Sequence, residues 1–433
     1  MRVGILCGGG PAPGINSVIS AATIEARNSG WDVVGILDGF EHLIAGDASQ
    51  TLPLNIADVS RIHQTGGSIL FTSRANPTVR DESAADPEWR LHTALKTLTE
   101  LRVDALVTVG GDDTSYGAAQ LAHAARASGS SLRVAHVPKT IDNDLPLPAG
   151  MPTFGFQTAR HVGTALVSNL MTDAMTTKRW YFVVAMGRSA GHLALGIAKA
   201  SGATIAVIGE EFPPGEVRLS HVVDILETSV LKRIAHGRPF GVAIIAEGLS
   251  LRFSQEDLLQ VAPEVERDTY GNVRLAEVHL HRVLGDVVAR RLKERGRKTS
   301  IVAKNIGYEL RCAPPIPFDI AYTRDLGYGA VEYLRRAIES GEDEPGAMIT
   351  IQEDHMVPLP FDALTDPATG KTRVRQVDLT SNSYRVSREY MIRLEPEDLT
   401  DPLRLDPIAA AANVTPDELR SRFGYLVGDE GAR

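Results

Sequence analysis

Short apolar runs, each followed by a turn and then by a helix-period segment, recur along most of this 433-residue chain. Arg2 to Cys7, Asp32 to Leu37, Asp104 to Val109, Leu132 to Val137, Trp180 to Ala185, Ala203 to Ile208 and Phe240 to Ala246 are β-branched and nearly uncharged. That is the signature of strands covered on both faces. Between them, Leu91 to Arg102 places Ala94, Leu95, Leu98 and Leu101 on one helical face. Ser115 to Arg126, Gln157 to Thr176 and Ala190 to Ala200 repeat the pattern. Strand, turn and helix in alternation predict an α/β fold on a parallel sheet. Such sheets bind ligands at the carboxyl ends of their strands, so the residues just after each strand carry the functional information.

Composition narrows the classes. At 43% hydrophobic and 23% charged the chain reads as an ordinary globular protein, with a formal charge of −9 that argues against a nucleic-acid partner. Two cysteines, Cys7 and Cys312, lack metal-ligand spacing and suit a reducing compartment. The opening MRVGILCGGG breaks into glycine without the form of a secretory leader. No window reaches the ~18 apolar residues of a membrane helix, so a cytoplasmic protein without a membrane partner is expected. Arg252 to Arg274, Gly341 to Gly346 and Leu364 to Thr372 read as inserted or peripheral segments.

Three strand ends carry unusual residues. The first runs Gly8-Gly9-Gly10-Pro11-Ala12-Pro13-Gly14 before a helix opening at Ile15-Asn16. It can admit an anion against backbone N–H groups, although a tight turn in any α/β protein explains it equally well. The second is Gly110-Gly111-Asp112-Asp113-Thr114-Ser115. One capping residue would suffice for the helix, whereas adjacent aspartates behind a double glycine suit a Mg²⁺–phosphate platform. The third, Pro138-Lys139-Thr140-Ile141-Asp142-Asn143-Asp144, supplies a cation and a carboxylate able to act as a base.

These motifs, followed in order by Met186-Gly187-Arg188-Ser189-Ala190-Gly191 and Ala246-Glu247-Gly248, resemble the phosphofructokinase family. Ile306-Gly307-Tyr308 to Arg311, then Pro317-Phe318-Asp319, resemble its later sugar-phosphate segment, and the likeness runs from about residue 2 to about residue 335. The resemblance implies two Rossmann-like three-layer domains with mostly parallel sheets and an active site in the interdomain cleft. Residues 1–143 with about 310–345 would form a larger donor- and Mg²⁺-binding domain, and 144–309 with about 346–394 a smaller sugar-phosphate domain. Residues 395–433 would be a C-terminal helical extension and tail.

It also implies roles. Asp142 would be the general base, assisted catalytically by Lys139; Asp112 and Asp144 would hold Mg²⁺; and Gly9, Gly10, Arg74, Asp113 and Lys139 would meet the donor. Thr140, Ile141, Asp142, Met186, Gly187, Arg188, Glu247, Tyr308 and Arg311 would bind fructose 6-phosphate. Arg179 matches a family arginine that reaches a neighbouring subunit's sugar phosphate, which implies a homodimer or homotetramer with shared active sites.

The ATP-using pattern of the family has glycine where this chain has Asp113, and usually glycine where it has Lys139. A carboxylate at 113 occupies space needed by a nucleotide's α-phosphate and repels it. Two unit charges ~4 Å apart interact by about 4 kcal/mol at an effective dielectric near 20. The chain therefore resembles the pyrophosphate-using branch, expected to phosphorylate the C1 hydroxyl of fructose 6-phosphate reversibly, in glycolysis or gluconeogenesis. The later motif departs from the commoner family pattern, with Tyr308 in place of His, Leu310-Arg311-Cys312-Ala313, and Val302 in place of Arg. Lys304 either replaces that missing cation or is an ordinary strand-edge lysine. Sedoheptulose 7-phosphate stays open as acceptor. The rival readings are an ATP-dependent kinase, a silent phosphate-sensing regulatory subunit, and a nicotinamide dehydrogenase. The last would want a G-x-G-x-x-G turn that the first loop lacks.

Overall fold

The computed structural model describes residues 1–148, 150–261, 279–341, 344–368 and 372–428. The chain divides into two compact units, Met1–Ala159 with Tyr308–Arg375, and Arg160–Gly307 with Gln376–Arg433. Twelve strands are described: β1 Arg2–Cys7, β2 Asp32–Ile36, β3 Thr51–Leu54, β4 Ala105–Gly110, β5 Arg133–Thr140, β6 Phe154–Gly155, β7 Trp180–Ala185, β8 Ile205–Val207, β9 Gly241–Ala246, β10 Ile301–Ile306, β11 Gly346–Gln352 and β12 His355–Pro360.

The first unit is built on one sheet in the order β12-β11-β5-β4-β1-β2-β3, with β6 added beside the end of β5. Its centre is parallel, and the edge strands β12 and β3 run antiparallel. Side chains alternate between two cores. Val3, Ile5 and Cys7 of β1 and Ala105, Val107 and Val109 of β4 meet helices Ile15–Asn28 and Pro317–Ser340. Leu6 and Leu106 point the other way, towards helices Trp89–Glu100 and Asp112–Ala127. The period of two along β1 and β4 thus specifies a three-layer unit. Each fully buried aliphatic side chain contributes about 1.5–3 kcal/mol.

The second unit has an all-parallel sheet in the order β10-β7-β9-β8. Helix Leu280–Glu294 packs against β10 and β7, and helix His192–Ser201 against β8 and β9. Among the described residues no helix is long and apolar enough to cross a membrane.

All seven expected strands are present, with ends shifted by a few residues. The domain boundaries differ from the expectation. β11 pairs parallel with β5, so residues 346–375 belong to the first unit rather than to the smaller domain. Residues 144–159 also stay with the first unit, because Thr153 and β6 are bonded to the end of β5. The C-terminal helices are not a separate extension. Lys232 pairs with the buried Asp398 at 2.5 Å, and Arg295 donates to the Ala412 carbonyl at 3.1 Å, fixing them to the second unit. Of the expected peripheral segments, 262–274, 342–343 and 369–371 lie outside the described residues.

Candidate active site

In the first unit, the loop after β1 is fastened on both sides. Gly8 N–H donates to the Val109 carbonyl at 2.9 Å, and Gly9 N–H to the Ser73 carbonyl at 2.7 Å. The second bond brings the Thr72-Ser73-Arg74 segment alongside the loop, with Arg74 exposed. Gly9 has φ +79, and a Cβ there would sit 3.3 Å from the Lys139 ammonium. A Cβ on Gly10 would lie 3.0 Å from an Arg311 guanidinium nitrogen. Glycine is required here both by backbone conformation and by the close approach of cations.

Lys139 is buried, and its Nζ donates to the Gly10 carbonyl at 2.5 Å. Burial pulls its pKa down to about 8, against the opposing influence of Cys7, Asp142 and Asp112, with Arg311 adding to the lowering. Arg311 itself stacks over the Tyr308 ring, 4.5 Å from the centroid. Arg311 therefore stands beside the glycine loop.

The second loop is closely packed. A Cβ on Gly110 would lie 2.2 Å from the buried Thr114 Cβ, and Asp112 and Asp113 form the first turn of the following helix. Beneath it, the buried His136 meets Thr108 Oγ1 at 2.9 Å through Nδ1 and the Gly110 carbonyl at 3.2 Å through Nε2. A carbonyl only accepts, so Nε2 carries the proton and Nδ1 accepts from the threonine hydroxyl. Burial pushes the His136 pKa down to about 3, so the imidazole is a neutral strut joining β4 to β5.

The third loop places carboxylates close together. Asp144 is buried, and burial followed by the charge of Asp112 raises its pKa. Asp142 N–H donates to Thr140 Oγ1 at 3.0 Å, tightening the turn. Ile141 is buried, so its side chain packs inward and only its backbone faces the loop. Asn143 takes a left-handed conformation, φ 57, between the two aspartates. Among the described residues no group of three metal-ligating side chains occurs. Two mutually repelling carboxylates nevertheless fit Mg²⁺, which commonly takes one or two protein carboxylates and completes its shell with phosphate and water.

In the second unit, the ends of β7, β9 and β10 are laced together. Met186 N–H donates to the Ile306 carbonyl at 3.0 Å, and Gly248 N–H to the Gly187 carbonyl at 3.0 Å. Glu247 Oε2 accepts the Gly187 N–H at 3.1 Å. Gly187 has φ +137, and a Cβ on Gly248 would clash with the Arg188 carbonyl at 2.4 Å. The lacing leaves Arg188 exposed on this rim.

The residues 2–334 match the family model for phosphofructokinase. A pyrophosphate–fructose 6-phosphate 1-phosphotransferase of Thermotoga maritima is 52% identical over 98% of both chains. One from Naegleria fowleri is 48% identical over 98% of this chain and 95% of its own. The chain belongs to the phosphofructokinase family. A solved pyrophosphate-dependent phosphofructokinase from Nitrosospira multiformis shares the fold, with a TM-score of 0.64 at 15% identity over 90% of each chain.

Measured against the phosphofructokinase expectation, the structure gathers Gly9, Gly10, Lys139 and Arg311 around one loop of the first unit, with Asp112 and Asp142 close enough to act electrostatically on Lys139. Met186, Gly187, Arg188 and Glu247 form the cluster of the second unit. Tyr308 and Arg311 both belong to the first unit, as expected for Arg311, whereas Tyr308 fell inside the range expected for the smaller domain. Two expected residues stand apart. Arg179 precedes β7, whereas Met186 follows it. A six-residue strand separates them by about 20 Å. Lys304 sits mid-strand on the edge strand β10, level with Val183 and exposed.

Asp319 of the Pro317-Phe318-Asp319 motif is structural. It is fully buried and accepts the Gly155 N–H at 3.0 Å, with the Thr158 N–H at 2.7 Å and the Thr158 hydroxyl at 2.6 Å. It thereby caps helix Phe156–Thr177. Sequence reading missed His136, Asn143, Glu210, Arg375 and Gln376. A histidine inside an otherwise apolar strand was the one visible signal among them.

Proposed function

We infer that this chain transfers a phosphoryl group between pyrophosphate and the C1 hydroxyl of fructose 6-phosphate, giving fructose 1,6-bisphosphate and phosphate. The observation that carries the reading is the buried Lys139 ammonium, 2.5 Å from the Gly10 carbonyl, with Asp113 heading the neighbouring helix. A cation fixed at the glycine loop serves a short, highly charged donor, and an added carboxylate disfavours a nucleotide. The full-length likeness to enzymes bearing that activity in their names supports it.

Each group has a task. Gly9 and Gly10 offer N–H groups and room to the donor; Arg74 and Lys139 offer charge. Arg311, placed beside Gly10, serves the transferring phosphoryl group as well as the sugar phosphate. Asp112 and Asp144 would hold Mg²⁺, which supplies charge neutralisation on the donor oxygens when bound. Asp142 takes the proton of the C1 hydroxyl as its oxygen bonds to phosphorus and the bridging P–O bond of pyrophosphate breaks. The leaving phosphate departs against the Lys139 ammonium. Thr140, Ile141, Met186, Gly187, Arg188, Glu247 and Tyr308 hold the sugar phosphate, with Lys304 at the periphery. Arg179, remote from the Met186 cluster of its own chain, serves a second subunit of a homodimer or homotetramer. The enzyme works in the cytoplasm, in glycolysis or gluconeogenesis.

The reverse reaction tests this. Fructose 1,6-bisphosphate, phosphate and Mg²⁺ should yield fructose 6-phosphate and pyrophosphate. Failure of that reaction, with forward turnover only from ATP, would contradict the reading.

A further inference from the structure

Three consecutive residues far from either motif anchor two of the loops described above. Within the first unit, Arg375 spends two guanidinium nitrogens on Asn143, in the loop of residues 140–144, and the third on Met151. Its Nε donates to the Asn143 carbonyl at 3.1 Å, Nη1 to the Met151 carbonyl at 2.7 Å, and Nη2 to Asn143 Oδ1. Its own N–H donates to the Asp144 carbonyl at 2.7 Å. Asn143 is the left-handed residue between Asp142 and Asp144, and its Oδ1 also accepts the Thr153 N–H at 2.9 Å. Arg375 thus fixes the backbone that spaces the base from a metal carboxylate.

Within the second unit, the next two residues hold the loop that carries Arg188. Gln376 Nε2 donates to the Ser189 carbonyl at 3.0 Å. Glu210 Oε1 accepts two N–H groups, from Gly191 at 2.8 Å and from Val377 at 3.0 Å. A Cβ on Gly191 would press against Glu210 Oε2 at 2.8 Å, so the loop is built to close onto this carboxylate.

We propose that Arg375-Gln376-Val377, together with Glu210, is a positioning strap that couples the Asp142 loop to the Arg188 loop through one peptide bond. Arg375 and Glu210 are positioning residues in this assignment, each acting through the loop groups it binds. The inference rests on the reading above for what the loops bind, but the strap exists in the chain whatever they bind. A rigid fork such as Arg375 is not replaced by a lysine, which offers a single point charge. Glu210, in contrast, uses one oxygen as acceptor, which glutamine retains.

The test is a kinetic and hydrogen-exchange comparison of the full chain with Arg375→Ala, Arg375→Lys, Glu210→Ala, Glu210→Gln and a single glycine inserted after Arg375. Arg375→Ala and Arg375→Lys should lower kcat roughly 10- to 100-fold, since misplacement by about an ångström costs that much. Glu210→Ala should raise KM for fructose 6-phosphate about tenfold and leave KM for pyrophosphate unchanged, with Glu210→Gln restoring it. The insertion, which keeps every anchoring side chain, should lower kcat and raise the sugar KM together. Exchange should quicken at residues 140–151 in Arg375→Ala and at 187–191 in Glu210→Ala. Wild-type constants in all variants, or equal loss in Glu210→Gln and Glu210→Ala, overturns the strap. A wild-type chain inactive with both substrates overturns the functional reading instead, and loop-specific exchange then decides the strap alone.

Discussion

The Lys139 ammonium is buried 2.5 Å from the Gly10 carbonyl, with its pKa drawn down to about 8. A desolvated cation needs an anion, and the donor supplies it. The sign follows from the direction of the shift. Below about pH 8 the side chain is charged and can stabilise departing phosphate; above it the charge is lost. Forward kcat/KM for pyrophosphate should decline as pH rises through that value. Lys139→Met should remove this limb from the pH profile of kcat/KM for pyrophosphate and lower kcat at saturating pyrophosphate by roughly 10²–10³.

Asp113 makes a separate prediction, because it is argued to act by exclusion. Asp113→Gly should raise ATP-driven turnover by at least about tenfold, since even a fraction of the repulsion expected at ~4 Å is worth that much. The check is kcat/KM for ATP in the variant against wild type. No gain would show that the carboxylate is not what keeps nucleotide out.

Asp142→Asn removes the proposed base and keeps the shape. It should lower kcat by about 10²–10⁴ with little change in KM for either substrate. Steady-state kinetics in both directions measure it, and both directions should lose the same factor.

Asp144, proposed as a Mg²⁺ ligand, is a carboxylate held in place at a cost in stability. Its pKa is raised by burial and by Asp112, so the folded state binds the proton more tightly than the unfolded chain. Its contribution is most favourable at low pH and is lost as pH climbs from the usual carboxylate range through the raised value. At neutral pH without metal, Asp144→Asn should therefore raise Tm, while increasing the Mg²⁺ concentration needed for half-maximal rate. Calorimetry in chelator and a Mg²⁺ titration of activity read the two halves.

What could be read from the chain follows from where its physics is local. β1 and β4 announce themselves because a strand buried on both faces is apolar almost throughout. The edge strands β3 and β10 do not: β3 carries Pro53, and β10 exposes Lys304 and Asn305. The glycines and carboxylates at the strand ends were legible because they break helix and strand preferences at a point where one capping residue would suffice. Arg375 and Glu210 were not, since each anchors a loop far away in sequence. Arg375 lies 232 residues from Asn143, and Val377 lies 167 from Glu210. The unit boundaries were misplaced for the same reason: the pairing of β11 with β5 is a long-range fact that no local period announces.

The most direct test of the donor assignment is the rate of fructose 1,6-bisphosphate formation from fructose 6-phosphate and Mg²⁺, with pyrophosphate or ATP supplied alone. The account predicts turnover with pyrophosphate, matched by equal release of phosphate, and little or none with ATP. Turnover with ATP and none with pyrophosphate would contradict the roles given to Lys139 and Asp113 while leaving the family and Asp142 in place.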